Sequence, residues 1–248
     1  DICHICEKKI DHNDAQTEEQ RNYKVRDHCH YSGKFLGPAH ALCNLERRQK
    51  IDIPLFCHNS KSYDSHFIFQ GIKRFYEDKN SEKELKIYSI SALPENTEKF
   101  KTFRLNQFRF LDSLAFLNCS LDQLSQDLQK VPNHPYSILS QAELYFEGEE
   151  DKKQLLLRKG VYPYEYMTSF EKYSETGLPP KEAFYSKLSN SHVSEEDYLH
   201  AQKVFKEFGC QNLQEYTELY CMLDCALLAE IVCQFRDVIL KDIGLDMT

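Results

Sequence analysis

Apolar positions are spaced unevenly along this chain. Residues 1–50 are poor in apolar runs and carry Cys and His instead, whereas blocks of strand-like and helix-like spacing follow from Ile51 onward. Ile53 to Cys57 is a compact apolar run that predicts a buried strand, and Asp64 to Phe75 places Phe67, Ile68, Ile72 and Phe75 at helical spacing. Lys86–Ser91, Phe100–Leu105 and Phe108–Leu111 read as strands separated by turn material, and Leu114 to Leu128 as a helix through Leu117, Leu121, Leu124 and Leu128. Val131 to Leu188 collects Pro132, Pro135, Pro163, Pro179 and Pro180 with many tyrosines, which predicts loops with short helices. Ser194, with Asp197 three residues on, is an N-cap for a helix through Phe208. Leu213 to about Ile239 is a long amphipathic helix with Tyr216, Tyr220, Leu223, Leu227, Ile231 and Phe235 inward. The sum is an α/β protein with a short, core-poor N-terminal module over 1–50 and a larger domain over 51–248.

Composition narrows the partners. The 248 residues are 41% hydrophobic and 28% charged, ordinary for a chain that buries a core. A net charge of −8 excludes a basic coat protein while leaving room for local nucleic-acid contacts. No apolar run is long enough to span a bilayer and the first residues do not form a signal peptide, so a soluble, intracellular protein with no membrane partner is expected. The chain opens at Asp1 and stops at Thr248 just past the long helix, which reads as an internal piece of a longer protein. Of the ten cysteines, Cys210, Cys221, Cys225 and Cys233 fall in helical sequence, where thiols serve as small apolar residues. Those near the N-terminus keep company with histidines, the pattern of an intracellular metal site rather than a disulfide framework.

Two half-sites stand out there. Cys3-x-x-Cys6 and His40-x-x-Cys43 each let one turn aim two ligands at one ion, and together they supply the four soft ligands of tetrahedral Zn²⁺. A module of 50 residues with little core needs such a staple. Cys29 and His4 are spare candidates left outside this set.

Between the half-sites runs VRDHCHYSGKFLGPAHALCNL, Val25 to Leu45. It reads as a strand ending at Asp27-His28-Cys29-His30, a turn at Tyr31-Ser32-Gly33, a second strand, and a helix carrying His40, Cys43 and Asn44. This resembles the ββα-metal finger of the phage recombination endonuclease VII family, which usually has Cys where this chain has His40. The resemblance implies Asp27 and Asn44 as Mg²⁺ ligands, His28 as general base and His30 as a further catalytic histidine on phosphate. A retained finger that only positions DNA is the other reading, and Arg21, Lys24, Arg26, Lys34, Arg47, Arg48 and Lys50 suit phosphate contact in either case.

Further along, Asn59-x-x-x-Tyr63-Asp64 follows the first strand and opens a helix, and Tyr220-x-x-x-Asp224 lies inside the long helix. Residues four apart share a helix face, so Tyr220 and Asp224 point the same way, and a carboxylate on the apolar side is costly without a metal or hydrogen bond. Asp64 as a plain helix cap is the bland alternative. Together these runs resemble the second and third exonuclease motifs of family B DNA polymerases. Phe110-Leu111-Asp112-Ser113-Leu114, LLLRKGVYPYEYM and LPPKEAFYSKL, with the finger placed ahead of the second motif, resemble the protein-primed polymerases of Polinton-type transposons and their viral relatives.

That resemblance implies an incomplete ribonuclease H-like 3′→5′ exonuclease domain behind a small ββα zinc finger. It assigns Asp64 and Asp224 as Mg²⁺ ligands, Tyr220 as the residue orienting the attacking water and Asn59 as a contact to the single-stranded primer end. The parent is expected to be a DNA-directed DNA polymerase acting on a primer 3′ end and single-stranded template, with dNTPs and a terminal priming protein as partners. The family's Asp-x-Glu motif, source of two further carboxylates, has no match in these residues, so the chain by itself is expected to lack exonuclease activity. A free-standing ββα-metal DNA endonuclease and a non-catalytic, transposon-derived DNA-binding module are the alternatives.

Overall fold

A computed structural model describes residues 1–10, 23–29, 33–48, 52–61, 64–77, 89–96 and 99–246. The chain divides into two compact units, Asp1–Asp112 and Ser113–Thr248. Strands and helices mix in an α/β architecture. Among the described residues no helix is long and apolar enough to cross a membrane.

The first unit opens with a ββα arrangement. Strands β1 (Lys24–His28) and β2 (Phe35–His40) pair antiparallel, with a bulge at Asp27/His28, and helix α1 (Ala41–Arg48) follows directly. His40 therefore closes β2 instead of riding on the helix, and His30 and the tip residues Tyr31 and Ser32 lie outside the described residues. Cys3, Ile10 and Ala39 form the small buried cluster here, with Ile5, Cys6, Val25 and Cys43 against it.

The rest of this unit is a four-stranded sheet of order β3-β6-β5-β4, built from β3 (Ile53–Cys57), β4 (Ile90–Pro94), β5 (Phe100–Leu105) and β6 (Phe108–Asp112). β3 runs parallel to β6, and the other pairs are antiparallel. Of the strand expected over Lys86–Ser91, residues 86–88 lie outside the described residues; the strand is displaced toward Pro94, on an exposed edge where a proline costs no ladder bond. Helix α2 (Asp64–Glu77) packs through Phe69 on Phe100 and Phe103, at ring distances of 5.1 and 4.9 Å, and Phe103 stacks on Phe110 at 4.3 Å. Phe67, expected inward, is 54% exposed because the sheet selects the face carrying Ser65 and Phe69.

The second unit is helical around α7, whose 31 residues run Leu213–Ile243. Asn212 caps its start by accepting the Glu215 N–H, and Gly244 ends it in the left-handed conformation at φ +76°. Helix α6 (Glu195–Glu207) starts at Ser194, which accepts the Asp197 N–H as the sequence predicts. The helix expected over Leu114–Leu128 is broken: a 3₁₀ turn spans Ser113–Ala115, and α3 is only Leu121–Leu128, capped by Ser120. The Ser120 hydroxyl oxygen accepts the Gln123 N–H, a local bond that starts a new helix instead of continuing the old one. Helices α4 (Ser137–Gln141) and α5 (Glu150–Leu156) interrupt the proline- and tyrosine-rich stretch.

Tyr216, Tyr220, Leu223, Leu227 and Ile231 are buried along α7. Cys221, Cys225 and Cys233 are exposed on its other face, which corrects the expectation that they serve as small apolar residues, whereas Cys210 is partly buried and packs against a buried cluster. Glu230, 2% exposed, accepts the Ile138 and Leu139 N–H groups at 2.7 and 3.1 Å, so a carboxylate of α7 serves the open start of α4. Replacing Glu230 with Ala leaves one buried and one part-buried donor unpaired, and we expect a stability loss of about 3 kcal/mol, read by urea unfolding.

Candidate functional site

The Cys3–Cys6 turn is shaped by its backbone. Cys3 donates its N–H to the Lys8 carbonyl and accepts from Glu7, while the His4 N–H reaches Pro38 on β2 and fastens the turn to the hairpin. Across from it, His40 ends β2 and Cys43 sits in the first turn of α1. The Sγ atoms of Cys3, Cys6 and Cys43 and a ring nitrogen of His40 all lie within 4.8 Å of one another. His40 Nδ1 is 3.4 Å from Cys6 Sγ and 3.8 Å from Cys43 Sγ. A tetrahedral ion with Zn–S about 2.3 Å and Zn–N about 2.0–2.1 Å needs S···N edges of about 3.6 Å, so the donors fit such a group. On the ring's far side Nε2 lies 3.2 Å from the Lys9 carbonyl; an N–H there donates to that oxygen and leaves Nδ1 as the free lone pair.

The thiols titrate apart. Burial opposes ionising Cys3, yet the N–H groups of Cys6, His40 and Ile5 aimed at its sulfur bring it down to about 6. Burial, followed by the sulfurs of Cys6 and Cys3, pushes Cys43 up to about 11. Negative sulfurs converging on one point repel, and a divalent cation among them removes that repulsion.

Beside this cluster, Asp27 is 4% exposed, and its Oδ2 lies 2.9 Å from His4 Nε2 and 2.7 Å from Arg47 Nη1. The His4 ring rests on Gly37, where an added Cβ would sit 2.8 Å from the ring and φ is +154°, so β2 needs glycine there. An open cleft of about 470 Å³ adjoins, lined by His4, Ile5, Cys6, Cys43, Glu46 and Arg47. His28 is exposed, with Nδ1 3.4 Å from the Arg26 carbonyl, and Asn44 is half-buried on α1.

Elsewhere in the first unit, the chain leaves β3 at Cys57 and turns through His58–Lys61. Asn59 there adopts the left-handed conformation at φ +64°. Asp64 is exposed at the first position of α2, and Tyr63 lies outside the described residues.

In the second unit, α7 presents Tyr220 and Asp224 on one face, as their spacing predicts, against the loop before Tyr166. The hydroxyls of Tyr164 and Tyr220 are 2.6 Å apart, and Tyr162 stacks on the Tyr220 ring at 4.8 Å and 29°. A Cβ on Gly160 would come within 2.6 Å of Tyr220 Cδ2, so only glycine admits the ring so close. Burial, then the Tyr164 hydrogen bond and the Asp224 charge, hold the Tyr220 phenol far above its ordinary range and therefore protonated. Burial raises Asp224 as well, while Tyr220, Lys159 and the Gly160 N–H act in the opposite sense. Its Oδ1 is buried with no hydrogen-bond partner among the described residues, the state of a carboxylate that fits a cation. Lys159, Gly160, Tyr162 and Tyr164 are site neighbours that spacing alone missed; their density of aromatics was visible, but nothing local says which helix those rings meet.

The family described as DNA polymerase type B, organellar and viral, matches residues 45–248. No curated protein and no solved structure matches the chain.

Proposed function

The chain belongs to the organellar and viral type B DNA polymerases, and we propose that it contributes DNA binding and part of the 3′→5′ proofreading exonuclease site of such an enzyme. DNA and dNTPs are the partners its family implies. The observation that carries the exonuclease reading is Asp224: a carboxylate oxygen buried without a hydrogen-bond partner among the described residues, next to a phenol that burial, with Tyr164, keeps protonated. In this reading Asp64, in the first unit, and Asp224, in the second, are each Mg²⁺ ligands, and the ion supplies charge stabilisation for phosphodiester hydrolysis when bound. Tyr220 donates a hydrogen bond that orients water, and the exposed Asn59 side chain receives the single-stranded end. The segments Phe110–Leu114 and LLLRKGVYPYEYM support a protein-primed parent that meets a terminal protein. A single strand ending in a photoreactive 3′ nucleotide is expected to crosslink to the segments around Asn59 and Tyr220; crosslinks confined to other segments overturn the reading.

For the finger we propose a Zn²⁺-held element that positions DNA. Asp27 favours this over cleavage, because His4 and Arg47 already engage its Oδ2, so that only its other oxygen could take a metal ion without displacing them. Junction and duplex DNA should therefore remain unnicked in Mg²⁺. Nicking that disappears in both His28→Ala and Asn44→Ala, with bound metal retained, establishes the endonuclease alternative instead.

A further inference from the structure

We infer that Asp112 is a positioning residue for Asn59, holding it in the conformation that presents its side chain to single-stranded DNA. The inference rests on the role given to Asn59 above. Asp112 ends β6 beside Cys57, the last residue of β3, in parallel register. A chain leaving the end of a strand takes its N–H groups out of the ladder, and inside a fold each such donor needs another acceptor. Asp112 provides both: Oδ1 accepts the Asn59 N–H at 2.9 Å and Oδ2 accepts the Lys61 N–H at 3.0 Å. The carboxylate is 6% exposed, so these charge-assisted bonds are shielded from competing water.

The geometry goes beyond holding a turn closed. Two acceptors from one rigid strand end, reaching residues 59 and 61, leave Asn59 little backbone freedom. They hold it at φ +64°, a left-handed conformation that asparagine tolerates better than most residues. Ser60 between them is buried, whereas the Asn59 side chain is exposed. The backbone is thus pinned from below while the amide faces outward, a preorganised donor–acceptor group that need not be ordered on binding. The sequence shows Asp112 just past an apolar strand, inside the Phe110–Leu114 segment, with no sign that it serves a loop some fifty residues earlier.

The test measures binding of a fluorescent oligothymidylate to this chain and to Asp112→Asn, Asn59→Gly and their combination. Glycine keeps the left-handed backbone and removes the side chain; asparagine at 112 retains one acceptor and turns a donor toward the other N–H. Each single change is expected to weaken binding about tenfold, the worth of roughly one hydrogen bond, and the combination no further than Asn59→Gly alone. Additive losses, or an Asp112→Asn protein that melts earlier but binds as wild type, overturn the proposal. Should Asp112→Asn fail to fold, Asp112→Glu keeps the charge, misplaces it by one methylene and must give the same non-additivity. Binding indifferent to Asn59→Gly removes the DNA role of Asn59 and the reading beneath it. In that case faster amide exchange at Asn59 and Lys61 in the Asp112 variant still reports the loop support by itself.

Discussion

Removing the metal from the Cys3–Cys6–His40–Cys43 cluster is expected to unfold the N-terminal module while leaving the second unit folded. The buried cluster there consists of Cys3, Ile10 and Ala39, two of which are small, so burial alone offsets little of the ordering entropy of this segment. Coordination supplies the remainder: apparent Zn²⁺ binding energies of about 10–16 kcal/mol in finger-sized modules exceed anything such a core provides. Elemental analysis should give one zinc per chain. Cys43→Ser, or a chelator, should abolish protection from amide exchange through β1, β2 and α1, with α7 unaffected. A metal-free protein in which these elements stay protected contradicts the assignment.

The second large effect concerns hydrolysis. This chain, which has no Asp-x-Glu, is expected to leave the 3′ end of single-stranded DNA intact in Mg²⁺. A longer polymerase carrying that motif together with this chain should degrade the same strand, and Asp224→Ala in it should reduce the rate on the order of 10³-fold or more, since members of a cooperating site fail together. Tyr220→Phe should cost less, because it removes the proton donor and keeps the ring between Tyr162 and Gly160. Degradation by the present chain that depends on Asp224 would mean that the site is not split and needs no Asp-x-Glu from outside this chain. A longer enzyme with normal proofreading after Asp224→Ala would remove this carboxylate from the reaction altogether.

Legibility from sequence followed the range of the forces involved. Strands at Ile53–Cys57, Phe100–Leu105 and near Phe108–Leu111, the Ser194-capped helix and the inward face of α7 were readable because apolar spacing and caps act within a few residues. The metal ligands were readable for a related reason: Cys-x-x-Cys and His-x-x-Cys are complete half-sites, so only the meeting of two turns was left for the fold to provide. Where a local choice lay close to balance, periodicity misled. It continued a helix through Leu117 where Ser120 starts a new one, and turned Phe67 inward where the sheet takes Phe69.

What the tertiary structure alone decided is the partnership of polar groups far apart in sequence. Asp27 between His4 and Arg47, Asp112 beneath Asn59 and Lys61, Glu230 at the start of α4, and Tyr164 against Tyr220 each join residues from separate elements. No periodicity encodes such pairs, because hydrogen bonding requires contact within about 3 Å, and contact between distant segments exists only once the apolar faces have packed. The chain's own pattern determined which elements form and which ligands could converge on a metal. The packed structure determined which carboxylates are satisfied by the protein and which, like Asp224, keep a buried oxygen with no hydrogen-bond partner among the described residues.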